Sequence, residues 1–104
     1  MTLQHLETEL KQLCPDTYKT AAPRNLTRFI TWHQYNRETI RGNDRTALSL
    51  PKIQIDVYWQ QRGDLLLDGV LMLLETFGAI YTLDDVTFDD ELQRHRAIIQ
   101  AVIL

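Results

Sequence analysis

Residues 51–78 read PKIQIDVYWQQRGDLLLDGVLMLLETFG, and the fold follows from how this stretch changes period part-way. Ile53, Ile55, Val57 and Trp59 alternate with Lys52, Gln54, Asp56, Tyr58 and Gln60, the period-two pattern of a strand buried on one face. Gly63 permits a sharp turn, and Asp64 is placed to cap the free amides of a helix starting at Leu65. Gly78 lies just past the far end, where a left-handed residue stops a helix. At 100° per residue, Leu66, Leu67, Val70, Leu71, Leu73, Leu74 and Phe77 share an arc of roughly 160°, with Asp68, Gly69, Glu75 and Thr76 opposite. The spacing predicts a strand followed by a core helix.

Leu65 and Met72 break that division, since they project together from the otherwise polar side. Either another surface covers them or they are ordinary exposed apolar side chains.

Upstream, Leu3, Leu6, Leu10 and Leu13 form one stripe behind a capping Thr2, which predicts a first helix ended by Pro15. The segment CPDTYKTAAPRN, with two prolines, reads as an irregular connection. TRFITWHQYN at 27–36 is rich in β-branched and aromatic residues and reads as a strand, with Phe29, His33 and Tyr35 on one face and Ile30 and Trp32 on the other. RETIRGNDRTALSL at 37–50 has little periodicity and a Gly-Asn-Asp turn signal, so it reads as a long loop between two antiparallel strands. Its arginines, Arg37, Arg41 and Arg45, are candidates for contacts with nucleic-acid phosphates, with an acidic partner surface, or with water alone.

Downstream, AIYTL at 79–83 reads as a strand that can continue through Val86 and Phe88. Asp84, Asp85, Asp89, Asp90 and Glu91 follow in eight residues, without the alternating ligands and fixed glycine of a calcium loop, so a solvated hairpin turn is the better reading. Residues 94–104 form the final strand, with Ile99, Ala101 and Ile103 on one face and Ile98, Val102 and Leu104 on the other. Helices cover only one side of a small sheet, so the other apolar face, Val102 included, calls for another subunit.

A chain of 104 residues is one domain, 1–104, with a single core. No run of eighteen apolar residues and no signal-peptide pattern occurs, which predicts synthesis in the cytoplasm and no membrane association. Cys14, the sole cysteine, rules out an internal disulfide and reads as a structural thiol. The net charge of −3 divides unevenly: residues 1–63 hold nine Lys/Arg and six Asp/Glu, residues 64–104 two and eight. That polarity suits subunits packing head to tail, unless folding interleaves the halves. The net charge of −3 also argues against sequence-specific DNA recognition, as does the lack of stacking aromatics beside the arginines.

No catalytic motif emerges. There is no nucleophile elbow or phosphate-binding glycine loop, and His5, His33 and His95 lie in separate elements without metal-ligand spacing. His95, between Arg94 and Arg96, reads as a surface strand residue, and Arg62-Gly63-Asp64 as turn plus cap rather than an adhesion motif. The expectation is a non-enzyme without cofactor, metal or small-molecule substrate.

Taken together, ITWHQYN at 30–36, the polar loop, KIQIDVYWQQRGD at 52–64, the leucine-rich helix and DVTFDDELQRHRAIIQ at 85–100 resemble the small tail-completion proteins of long-tailed bacteriophages, the tail terminators and head-to-tail joining proteins. Gln54, Asp56 and Trp59 fit that family's strand ending, and Asp89, Asp90 and His95 its segment before the last strand. The resemblance implies an α+β fold: two helices on one face of a four-stranded, mostly antiparallel sheet, with a long loop between the first two strands. It also implies a hexameric ring at the head-proximal end of the tail tube, in the neck of the virion. Its partners would be the tail-tube and head-connector proteins, with DNA passing through the lumen. On that view Leu65, Met72 and Val102 pack subunits together, and Arg37, Arg41 and Arg45 contact a partner or the DNA backbone. The alternatives are a small bacterial adaptor whose basic loop binds a protein and, more weakly, a metal-dependent nuclease built on the acidic segment.

Overall fold

The computed structural model describes residues 2–41 and 47–104. The elements are α1 (Leu3–Leu13), β1 (Thr17–Lys19), β2 (Phe29–Arg41), β3 (Ala47–Trp59), α2 (Leu66–Thr76), β4 (Ile80–Asp89) and β5 (Arg94–Val102). The strands form one mixed sheet in the order β1-β2-β3-β5-β4. β1 is parallel to β2, and every other pairing is antiparallel.

The alternation in β3 sets the core. Ile53, Ile55 and Val57 have no exposed surface, and they meet Ile30 and Trp32 of β2, Ala97 and Ile99 of β5, and the undersides of both helices. In α2 the buried line is Leu66, Val70 and Leu74, each contributing about 1.5–3 kcal/mol by leaving water. In α1 it is Leu6 and Leu10, with Thr2 Oγ1 accepting the His5 amide at 3.0 Å as the cap.

Asp64 does cap α2: its Oδ1 accepts the Leu66 amide at 3.0 Å, while Leu65 at the helix boundary supplies no side-chain cap. Gly63 and Gly78 both hold positive φ, 85° and 75°, as the turn and the helix stop require. Gly69 does not belong to the solvent side. A Cβ there would stand 3.4 Å from Leu13 Cδ2, so its missing side chain lets α1 and α2 close together.

Two parts of the expected fold need correction. The sheet has five strands rather than four, because Thr17–Lys19, expected to be irregular, pairs with β2. The Asp16 carbonyl takes the Ile30 amide at 2.9 Å and the Trp32 carbonyl takes the Thr20 amide at 2.8 Å, so this backbone is satisfied as a strand despite its proline-flanked sequence. The long loop at 37–50 is instead mostly strand. β2 runs to Arg41 and β3 begins at Ala47, with Arg37 opposite Pro51 and Arg41 opposite Ala47; only 42–46 fall outside the described residues. Pro51 is compatible with β3 because it lies just beyond the β3–β5 ladder, which starts at Lys52, and its carbonyl accepts the Ile103 amide at 3.0 Å.

Candidate assembly surface

The helices cover one side of the sheet only and leave one strand largely uncovered. β4 is the outermost strand beyond β5, and every residue along it except Tyr81 is exposed. Leu83, Val86 and Phe88 pair with Ile99, Ala97 and His95, so they share the helix side of the sheet, yet they remain 42%, 48% and 45% exposed. α2 packs against α1 through Gly69, so its other flank, with half-buried Leu67 and Leu71, is turned toward this strand. On the opposite face Ile80 is exposed beside half-buried Val102. A bulge between Leu83 and Asp85 sets Asp84 out of register, and its carboxylate accepts the Thr82 hydroxyl at 3.0 Å.

The acidic segment closes the β4–β5 hairpin. Asp89 Oδ1 accepts the amides of Glu91 and Leu92 at 3.0 and 3.1 Å, which is turn chemistry. Among the described residues no group of three or more His, Cys, Asp or Glu side chains could hold a metal ion, and no helix is long and apolar enough to cross a membrane.

The sheet face away from the helices carries a polar ladder across β5 and β3. Gln100 Nε2 donates to Gln54 Oε1 at 3.3 Å, Gln54 Nε2 to Asp56 Oδ1 at 3.0 Å, and Arg96 Nη2 to Asp56 Oδ2 at 2.9 Å. Beside it Phe29 and Tyr58 stack at 4.2 Å, with the Arg94 guanidinium 4.8 Å from the Tyr58 ring. Burial raises the Tyr58 pKa above its ordinary value, so the ring stays neutral. Phe29, Asp56, Tyr58 and Arg94 line a cleft of about 450 Å³ against residues 20–25. The arrangement offers stacking and ion pairing; it sets no nucleophile beside a base.

The residues singled out in the sequence do not form one patch. Leu65 and Met72 stand out from α2, 72% and 69% exposed, as their position predicted. Val102 lies on the far side of the sheet, paired with Lys52 and Ile80. Arg37 and Arg41 are in β2 rather than in a loop, and Arg45 lies outside the described residues. His95 is not a plain surface residue: its ring stacks on Trp59 at 5.2 Å and tilts against Phe88 at 4.7 Å. The apolar side chains of β4 were missed as site residues. Their signal was Leu83, Val86 and Phe88, an apolar face alternating with Thr82, Asp85, Thr87 and Asp89 across the strand.

The two ends of the sheet differ in charge. Residues 17–41, which include both strands at one end, carry Lys19, Arg24, Arg28, Arg37 and Arg41 against Glu38; residues 80–91, which form β4 and its turn, carry five carboxylates and no Lys or Arg. Arg28 is paired with Asp64 at 2.9 Å, and the rest of the asymmetry survives folding because only β5 of the second half is inserted between the first-half strands and β4.

No family model matches the sequence, and no curated protein does. Among solved structures the fold matches a chain of the virion of a native gene transfer agent particle, with a TM-score of 0.52 and 12% identity over 90% of this chain and 83% of that one. At that identity the likeness shows a shared fold.

Proposed function

We propose that this chain is a non-enzymatic structural protein of a phage or phage-like virion, working as a ring at the head-proximal end of the tail tube, as tail terminator or tail-to-head joint. The observation that carries the reading is the fold shared over 90% of the chain with a virion component. The resemblance in the sequence and the apolar surface left bare on α2 and β4 point the same way, since both ask for neighbours. A ring closes through heterologous contacts, in which one surface of each copy meets a different surface of the next, and the unlike charges at the two ends of the sheet suit that. In this role Leu65, Met72 and Val102 pack against neighbouring chains, and Arg37, Arg41 and Arg45 reach a partner ring or the DNA backbone. The tail-tube and connector proteins are the partners, and the neck of the virion is the location.

The test is solution mass by light scattering over a wide concentration range, alone and with purified tail tubes. A sixfold mass, or capture at one end of the tubes, is expected. A chain that stays monomeric and ignores the tubes refutes the proposal.

A further inference from the structure

Beyond the β1 pairing, residues 33–41 of β2 have β3 on one side and, among the described residues, no strand on the other. This nine-residue edge belongs to a two-stranded ribbon, because β5 pairs with β3 only from Lys52 onward. Isolated ribbons of two strands are marginal in water. At the other end of the sheet β4 offers an edge of ten residues that no strand among the described residues covers. Long, flat, partly apolar edges are templates for another strand.

We propose that residues 33–41 of one copy pair with β4 of the next, so that neighbouring sheets join into one. This rests on the ring reading and specifies its contact. Four observations select a second copy as the occupant of the β4 edge.

The two edges match in length. Their surroundings match in charge, since β2 brings Arg37 and Arg41 and β4 brings Asp84, Asp85 and Asp89. Their directions match: three antiparallel steps lie between β2 and β4 in one copy, so β4 runs opposite to β2, and copies related by rotation about a common axis would meet there as an antiparallel pair.

The stagger matches as well. Leu83, near the middle of β4, lies level with Ile99, Ile55 and then Trp32 across the sheet. The middle of the free β2 edge is Arg37, five residues further on. Five residues at about 3.4 Å, over four strand spacings at about 4.8 Å, make a tilt of about 40°, within the range that closed barrels require. β1 enforces this offset by occupying the β2 edge at Ile30–Trp32.

Two measurements on assembled protein test the inference. In hydrogen exchange, amides in both β4 and residues 33–41 should slow at least tenfold between dilute monomer and assembly. In crosslinking, Glu38→Cys and Thr82→Cys variants, opposite each other and on one face when Leu83 is level with Arg37, should form a covalent dimer under mild oxidation only when mixed; Cys14, 2% exposed, stays out of reach. Assembly in which neither edge gains protection and no mixed dimer forms overturns the strand pairing and leaves the ring reading standing. Monomers that neither self-assemble nor bind tubes overturn both.

Discussion

Replacing Leu65 and Met72 together by glutamine should separate folding from assembly. Both residues are more than two-thirds exposed, at 72% and 69%. Full burial of such a side chain is worth about 1.5–3 kcal/mol, so the part already buried in the monomer accounts for less than about 1 kcal/mol at each site. Glutamine also keeps the helix propensity of Met72 and nearly that of Leu65, so α2 should form as before. If a neighbouring chain covers these residues, the remaining surface is removed from water on assembly. That is about 1–2 kcal/mol per residue, and about 2–4 kcal/mol per contact, or roughly 30- to 1,000-fold in association at 1.4 kcal/mol per factor of ten. The assay is thermal melting and light scattering on the same samples. A melting temperature within a few degrees of the parent, with the assembly midpoint moved to at least thirtyfold higher concentration, is the expected pair of results. An unchanged assembly midpoint would refute the role given to Leu65 and Met72, whatever the melting temperature did.

The ion pair between Arg28 and Asp64 gives a pH dependence whose sign is fixed. The bond from Arg28 holds the Asp64 carboxyl below its ordinary value, so its contribution is present above about pH 4, where the unfolded carboxylate ionises, and is lost as pH falls through the folded value. Arg28 is 46% exposed, so this is worth at most about 1 kcal/mol; Asp64→Asn, which keeps the helix cap, should lower the melting temperature slightly at pH 7 and flatten its fall below pH 5. Cys14 is 2% exposed and burial raises its pKa, so it should resist thiol reagents at pH 7.5 until the protein unfolds; labelling of native protein at the rate of a free thiol would contradict that placement. Gly69→Ala should be neutral or stabilise by up to about 1 kcal/mol in denaturant melts, since alanine favours the helix and its Cβ would just touch Leu13, whereas Gly69→Val should push α1 away and destabilise.

How much of this could be read in the sequence depended on whether a residue's role was local. The period-two run from Ile53 to Trp59, the turn at Gly63, the cap at Asp64 and the stop at Gly78 each follow from a few neighbouring residues, and each stands where the pattern put it. β1 could not be read, because three residues beside two prolines carry no pattern; it is a strand only because β2 supplies its hydrogen-bond partners. The ribbon at Arg37–Arg41 and Ala47–Leu50 was missed for the same reason, as RETIR and ALSL show no clear period-two alternation and are strands through their pairing with each other. Gly69 was misplaced because the helix wheel marks the sheet side of α2 but not the flank that meets α1. At the assembly surface Leu65 and Met72 were legible as exceptions to a helical period, whereas the bare flank of β4 depended on strand order, which no local pattern encodes.

Joining sheets edge to edge makes the number of copies decide whether the ring has a hole. Each copy contributes four strands to the circumference, β2, β3, β5 and β4, because β1 shares the β2 edge with the next copy's β4. Barrels of about eight strands are filled by their own side chains, and an aqueous channel opens at about 16–18. A closed dimer of about eight strands would therefore be filled, and a trimer of about twelve would fall short of a channel. Six copies would bring twenty-four strands, a circumference of about 115 Å at about 4.8 Å per strand even before tilt, and so a backbone diameter of about 37 Å or more. Only the larger closure gives a conduit. Neutralising the charge between neighbours should then alter the fraction assembled and leave the size of the closed ring unchanged, because tilt and strand count, not charge, set the curvature. Light scattering at low and high salt distinguishes the two: a mass that stays at six copies while its population changes fits a closed barrel, whereas a mass that drifts continuously with salt would mean that the sheets add end to end without closing.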